Sequence, residues 1–287
     1  MIPVTLGFKA YDAHELLCHF VAFSAGLYQR DRLHVELADI TFIADTELPL
    51  HFFQASCGAA LAAALKGLGQ QIVFVAVDRP MFWIYARAPL QDLSSLAHCK
   101  ISTFPAGAPP HHLANMILQK AGLNVKQDLT LLPARDDTAR LGLLKSGSVD
   151  AAVISSSIAP AKMAQYGFNR LCCFGDEIRI PTTGLAVDRT YIEQEPELVQ
   201  TLVGIHKQSL RLIHADPDLT GTVLRDYFDV ETSICQETAR LYAASFTLDG
   251  RTSQGIAQGA IASLCDSLGV PHRPAWNQVY AFTQGNR

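Results

Sequence analysis

The sequence predicts an α/β protein built as two similar lobes, and three observations carry that prediction. Its 287 residues are 49% hydrophobic and 17% charged, enough apolar material for a large divided core and too little charge for a disordered chain. Up to about residue 200, short apolar runs of β-prone residues alternate with segments of helical period. A strand–corner–helix–glycine–strand unit also occurs twice, at an offset of 98 residues that places Gly58 on Ser156, Gly69 on Gly167 and Val73 on Leu171.

Composition excludes several partners. A net charge of −4 leaves no basic stripe for nucleic acid, and no Lys/Arg-rich amphipathic helix marks a membrane surface. The longest weakly charged run, Leu48 to Val77, is broken by His51, Gln54, Lys66, Gln70 and Gln71, so stable membrane insertion is not expected. Met1 to Phe8 reads as a strand without a cationic segment, long apolar stretch or cleavage site. The expected compartment is thus the cytoplasm if Met1 is the native start, and the periplasm if a leader has been removed. Seven cysteines, an odd number set mostly in apolar segments, point to buried thiols rather than a disulfide framework.

After the first strand, Asp12 with Glu15 predicts a capped start for a helix whose Leu16, Leu17, Phe20 and Val21 form its buried stripe, ending near Gly26. Tyr11 stands at a strand's carboxyl end, where open α/β sheets place ligands, so it is a candidate contact as well as a candidate packing residue. Leu33 to Ile43 alternates as a strand. His51 to Ala55 is a further strand, Ser56-Cys57-Gly58 a polar corner, Ala59 to Lys66 a helix and Val73 to Val77 the next strand. Cys57 at a helix start could be an activated thiol or a buried small residue. Phe82 and Trp83 lie in an aromatic β-prone run that suits a core strand or an apolar wall over a flat ligand.

Ala88 to Ala97 links to the second lobe, which opens with the strand Cys99 to Phe104. Pro105 to Pro110 is a loop before a helix from His111 to Ala121. Gly107 and His111 are candidates there because helix-start amides favour polar or anionic groups. His111 and His112 do not suggest a metal, since neighbours on a helix diverge by about 100° and no carboxylate or cysteine stands at ligand spacing. Asp128 to Leu132 is a strand, and Asp136-Asp137 cap the next helix. Lys145-Ser146-Gly147 stops it, Val149 to Ile154 is a buried strand, and Ser155, Ser156 and Ser157 open another helix with hydroxyls and free amides. Leu171 to Phe174 is a strand, and Ile178 to Val187 crosses back to the first lobe. Phe104 and Gly184 complete the candidate set. The remainder is helical, over Glu197–His214, Leu219–Phe228, Glu231–Ala244 and Gln254–Leu268. A Walker motif, a nucleophile elbow, a dinucleotide fingerprint and a zincin motif are all missing, and no cofactor is expected.

The runs LLKSGSVDAAVISSSIAPAKMAQYGF, STFPAGAPPHHLANMILQKAGLNVKQDLTLLP and QASCGAALAAALKGLGQQIVFVAV resemble the type II periplasmic-binding-protein-like family, in its NMT1/THI5-like branch of sulfonate, nitrate and thiamine-pyrimidine-precursor receptors. The likeness spans about Val4 to Val199. It implies two lobes with two chain crossovers, drawn here as 1–87 with 184–287 and as 88–183, and a ligand cleft closed by hinge motion. It also implies a small-molecule ligand and an ABC permease as partner. Relatives of this fold include enzymes, among them a pyrimidine synthase with a cysteine-rich motif after Cys-Phe-Gly. Here Cys173-Phe174-Gly175 is followed by Asp176-Glu177-Ile178, and Ser56-Cys57-Gly58 stands where the synthase has a histidine. The expected function is capture of a small polar or anionic molecule. The competing readings are an enzyme using Cys57, His111 or Asp136, and a cytosolic small-molecule sensor.

Overall fold

The computed structural model describes residues 1–282. Its chain forms two compact units, one joining Met1–Asp78 to the chain from Ile180 onward, the other the uninterrupted Arg79–Arg179. The first opens with β1 (Ile2–Phe8), α1 (Ala13–Ser24), α2 (Leu27–Arg30), β2 (Leu33–Asp39), β3 (Phe52–Ser56), α3 (Cys57–Leu65) and β4 (Gln70–Val77). The second holds β5 (Phe82–Ala86), β6 (Lys100–Thr103), α4 (Pro109–Lys120), β7 (Thr130–Pro133), α5 (Asp137–Ser146), β8 (Ala151–Ser155), α6 (Pro160–Gln165), β9 (Asn169–Cys173) and α7 (Phe174–Glu177). The chain then returns to the first unit with β10 (Thr183–Asp188), α8 (Arg189–Gln194), α9 (Pro196–Ala215), α10 (Pro217–Phe228), α11 (Cys235–Ala243), α12 (Gln254–Leu268) and α13 (Trp276–Val279).

Each unit has one five-stranded sheet, ordered β2-β1-β3-β10-β4 in the first and β7-β6-β8-β5-β9 in the second. The first three strands of each run parallel, and the fourth lies antiparallel to both neighbours. The internal repeat is thus visible as one topology used twice. The sequence drew the exchange points at 87/88 and 183/184, whereas the units meet at 78/79 and 179/180. The difference at the first point is β5, whose residues Phe82 to Ala86 pair into the second sheet between β8 and β9.

Local chemistry explains the element ends. Asp12, Ser56, Asp136 and Ser253 cap α1, α3, α5 and α12 by accepting from the third residue onward, and Gly147 and Gly269 close α5 and α12 in the left-handed region. β5 is apolar on both faces and buried, as an interior strand of a covered sheet should be, while β4, at the edge of its sheet, is buried and apolar from Ile72 onward because Thr247 and Gly250 bond to its free side. In the first unit's core, the Tyr28 hydroxyl lies 3.0 Å from His19 Nδ1 and 3.0 Å from His206 Nε2, tying α2 to α1 and α9. One phenolic proton serves two ring nitrogens, so one imidazole accepts from Tyr28 and the other donates to it.

Candidate functional site

At the carboxyl ends of β1 and β3 the first unit forms a polar corner. The α1 cap holds it on one side. Asp12 accepts from the Glu15 amide at 3.0 Å, and Glu15 accepts in turn from the amides of Lys9 and Ala10 at 2.9 and 3.0 Å. Burial pushes Glu15 up to about 8, against the pull of those two amides. His14 is buried and kept neutral, its pKa pushed down to about 3 by desolvation. Its Nε2 is 2.8 Å from Thr182 Oγ1, while Thr183 Oγ1 donates to the His14 carbonyl at 3.0 Å.

Ser56 pairs with Thr183 across the β3–β10 ladder and caps α3 through Ala59, and the Gly58 amide donates to Thr182. Tyr11 stands at this end of the sheet with its ring 5.7 to 6.0 Å from those of Phe8, Phe20 and Phe228. At 53% exposure it packs on these rings and leaves about half of its surface open. Cys57 differs from the activated thiol: it is fully buried, its Sγ donates to the Phe74 carbonyl, and burial pushes its pKa up. Gly184 is an interior strand residue, because a Cβ there would stand 2.0 Å from the Phe74 carbonyl oxygen.

The equivalent corner of the second unit is organised around Asp137, which the sequence presented only as a cap. Asp136 is the residue that caps α5. Asp137 accepts from the Ser155 amide at 3.0 Å, from the hydroxyls of Ser155 and Ser157 at 2.5 Å each, and from Arg140 Nη2 at 2.5 Å. Arg140 is wholly buried, gives its other donors to the carbonyls of Val153, Ala134 and Arg135, and lies 3.7 Å above the Phe104 ring. The expectation of free serine donors is therefore corrected. The Ser155 and Ser157 hydroxyl protons are spent on one carboxylate, the Ser157 and Ile158 amides turn back onto Ser155, and the helix itself starts later, at Pro160. Ser156 is buried beside them.

The start of α4 is corrected in the same way. Its first two residues, Pro109 and Pro110, have no N–H, and the amides of His111 and His112 both bond to Ala108. Gly107 is exposed in the loop before it, in the left-handed region at φ +89°. His111 donates through Nδ1 to the Phe104 carbonyl at 3.0 Å and lines a groove of about 450 Å³ with Asn115, Gln119 and Lys126. Phe82 and Trp83 are buried strand residues, the Phe82 ring meeting Phe104 at 5.5 Å and Phe174 at 5.8 Å, so the core reading describes them better than a ligand wall. Among the described residues no group of three or more His, Cys, Asp or Glu could hold a metal ion, and no helix is long and apolar enough to cross a membrane.

Sequence reasoning missed His14, Thr182, Thr183 and Asp137. Their roles depend on register and on contacts made from far along the chain: Thr182 meets His14 only once β10 has entered the first sheet.

Many solved structures share this fold, three of them as follows. The periplasmic aliphatic sulphonate binding protein SsuA from Escherichia coli has a TM-score of 0.77 at 15% identity, covering 100% of this chain and 95% of that one. The alkanesulfonate-binding protein SsuA from Xanthomonas axonopodis pv. citri, bound to MOPS, has a TM-score of 0.73 at 18% identity and covers 98% of each chain. The desulfurization enzyme DSZB has a TM-score of 0.73 at 14% identity, covering 97% of this chain and 96% of its own. No curated protein matches the sequence. The family model described as NMT1/THI5 like matches residues 56–220, more than half of the chain. With the fold and both polar corners of its topology in place, the chain belongs to the NMT1/THI5-like family.

Proposed function

We propose that the protein is a solute-binding protein that captures a small polar organic molecule for an ABC import permease, in the periplasm. The observation that carries this reading is the first unit's corner. There Tyr11 presents a fixed aromatic face, and His14, Ser56, Thr182 and Thr183 gather polar atoms at the carboxyl ends of parallel strands, where open α/β sheets bind ligands. The solute-binding proteins that share the fold support the reading by analogy. An enzyme using Cys57 is disfavoured by the burial and raised pKa of that thiol.

The test is thermal unfolding against a panel of sulfonates, pyrimidines and carboxylates. A true ligand at about 100 times its dissociation constant stabilises the native state by about 2.7 kcal/mol. Ser56→Ala and Tyr11→Ala should reduce that shift, and mass spectrometry after long incubation should return the compound unchanged. Conversion of the compound, or a shift indifferent to both substitutions, rejects the proposal.

A further inference from the structure

β7 is an edge strand of the second sheet, paired with β6 on one side only. Its register fixes which backbone groups face outward. The Thr130 amide donates to the Cys99 carbonyl at 3.0 Å and the Ala134 amide to the Thr103 carbonyl at 2.9 Å. In a parallel ladder alternate residues of a strand serve the same neighbour, so Thr130 and Leu132 turn to β6, while Leu131 and the preceding Leu129 turn their N–H and C=O groups away from it. Pro133, which has no N–H, ends the row of outward donors. Such a row is a template for one more strand.

Leu129 and Leu131 are half-buried and line the same groove of about 450 Å³ that His111 lines. Polar residues of α4 line it with them. His111, Asn115 and Gln119 come at intervals of four and so share one face of the helix. His111 gives its Nδ1 proton to Phe104, which leaves Nε2 as an acceptor. Gln119 and Lys126 are exposed, and neither side chain has a hydrogen-bond or ion-pair partner among the described residues. Lys126 is the charged residue of this lining. The charged residues nearest to it in sequence are engaged elsewhere: Lys120 is paired with Glu177 at 2.8 Å, and Asp128 accepts from the Asn124 amide at 2.7 Å.

We propose that this groove binds an extended peptide segment, which adds a strand to β7 and brings a side-chain carboxylate to Lys126. The backbone groups of Leu129 and Leu131 stand two residues apart, the spacing at which an extended chain presents its own N–H and C=O groups to a neighbouring strand. Alternate side chains of that segment would turn to the polar face of α4, and the unneutralised ammonium selects an acidic one among them. A small anion by itself would engage Lys126 and leave the outward backbone groups unmet. All of these residues lie in the second unit, and none is shared with the corner around Tyr11, so this inference stands apart from the solute-binding reading.

The experiment is fluorescence anisotropy of labelled acetyl-Val-Glu-Val-Gln-Val-amide titrated with the full chain. Comparison probes are the same peptide with Gln in place of Glu, the same peptide N-methylated along its whole backbone, and glutarate as an unlabelled competitor. The expected result is saturable binding of the Glu peptide, weakened roughly tenfold by the Gln replacement or by Lys126→Glu. Binding should vanish for the N-methylated peptide and in Leu131→Pro, which removes an outward N–H and no ladder bond. Should Leu131→Pro melt below the native chain, the N-methylated peptide poses the same question to the unaltered protein. The proposal is overturned by failure of the Glu peptide to bind, by equal binding of the N-methylated peptide, or by displacement with glutarate as effective as with unlabelled peptide. It is also overturned by a concentration-dependent dimer in sedimentation that excludes the peptide, since the occupant is then a second copy of this chain.

Discussion

Asp137 and Arg140 show what the second corner's residues do for one another. Arg140 is fully buried with its donors spent on three carbonyls and Asp137, and the carboxylate in turn orients Ser155 and Ser157. Removing one partner of such a pair strands the other charge away from water. Asp137→Asn should therefore cost about 3 kcal/mol or more, read as a lower denaturant midpoint at unchanged slope. The paired Asp136→Asn, which keeps a capping side chain, should cost well under 1 kcal/mol. The sequence displayed both aspartates at one helix start, and capping chemistry identified Asp136 correctly. It could not show that the second carboxylate reaches 18 and 20 residues along the chain to two serines. Gln54 was legible only as an amide inside the apolar run HFFQA; that its carboxamide meets no partner among the described residues depends on strands far away in sequence.

Among the elements, β10 is the one on which the first sheet depends. It lies between β3 and β4, antiparallel to both, with register shifts on each side. Gly184 sits at one such shift, where a Cβ would fall 2.0 Å from the Phe74 carbonyl oxygen and 2.9 Å from the Val75 Cα. Both obstacles are backbone and cannot swing aside, so Gly184→Ala should lower stability by at least about 1–3 kcal/mol, and hydrogen exchange of the β4 amides should speed up before the rest of the unit. Most strands and helices up to residue 200 were legible because period and punctuation agree: apolar runs end at Gly or Pro, and α1, α3 and α5 begin at Asp or Ser. The exchange of β5 and β10 was less visible. Both read as ordinary strands, and a strand's own residues do not reveal which sheet it will join.

For the whole molecule, the buried histidines set the response to acid. Desolvation pushes His14 down to about 3, His19 to about 4 and His206 to about 3, the last helped by neighbouring His19. Folded values below the unfolded value of about 6.5 mean stability that is complete above pH 6.5 and lost as pH falls toward about 3. At pH 5 each of the three costs about 2 kcal/mol, together a large share of an ordinary domain's stability. Glu15 acts in the opposite sense: its raised value gives stability present below about pH 4.5 and lost as pH rises toward 8. Melting temperature measured from pH 4 to 9 should therefore fall steeply on the acid side. His206→Asn should flatten the acid limb and Glu15→Gln the shallower alkaline one.

The uninterrupted run of Arg79–Arg179 contains all five strands of its own sheet, while the flanking sheet waits for β10 to bridge β3 and β4. During synthesis the inserted half can therefore finish before the half that was begun first. Expressed alone, residues 79–179 should give dispersed amide resonances and a cooperative melt, whereas a nascent chain stalled at residue 179 should leave the leading segment open to protease.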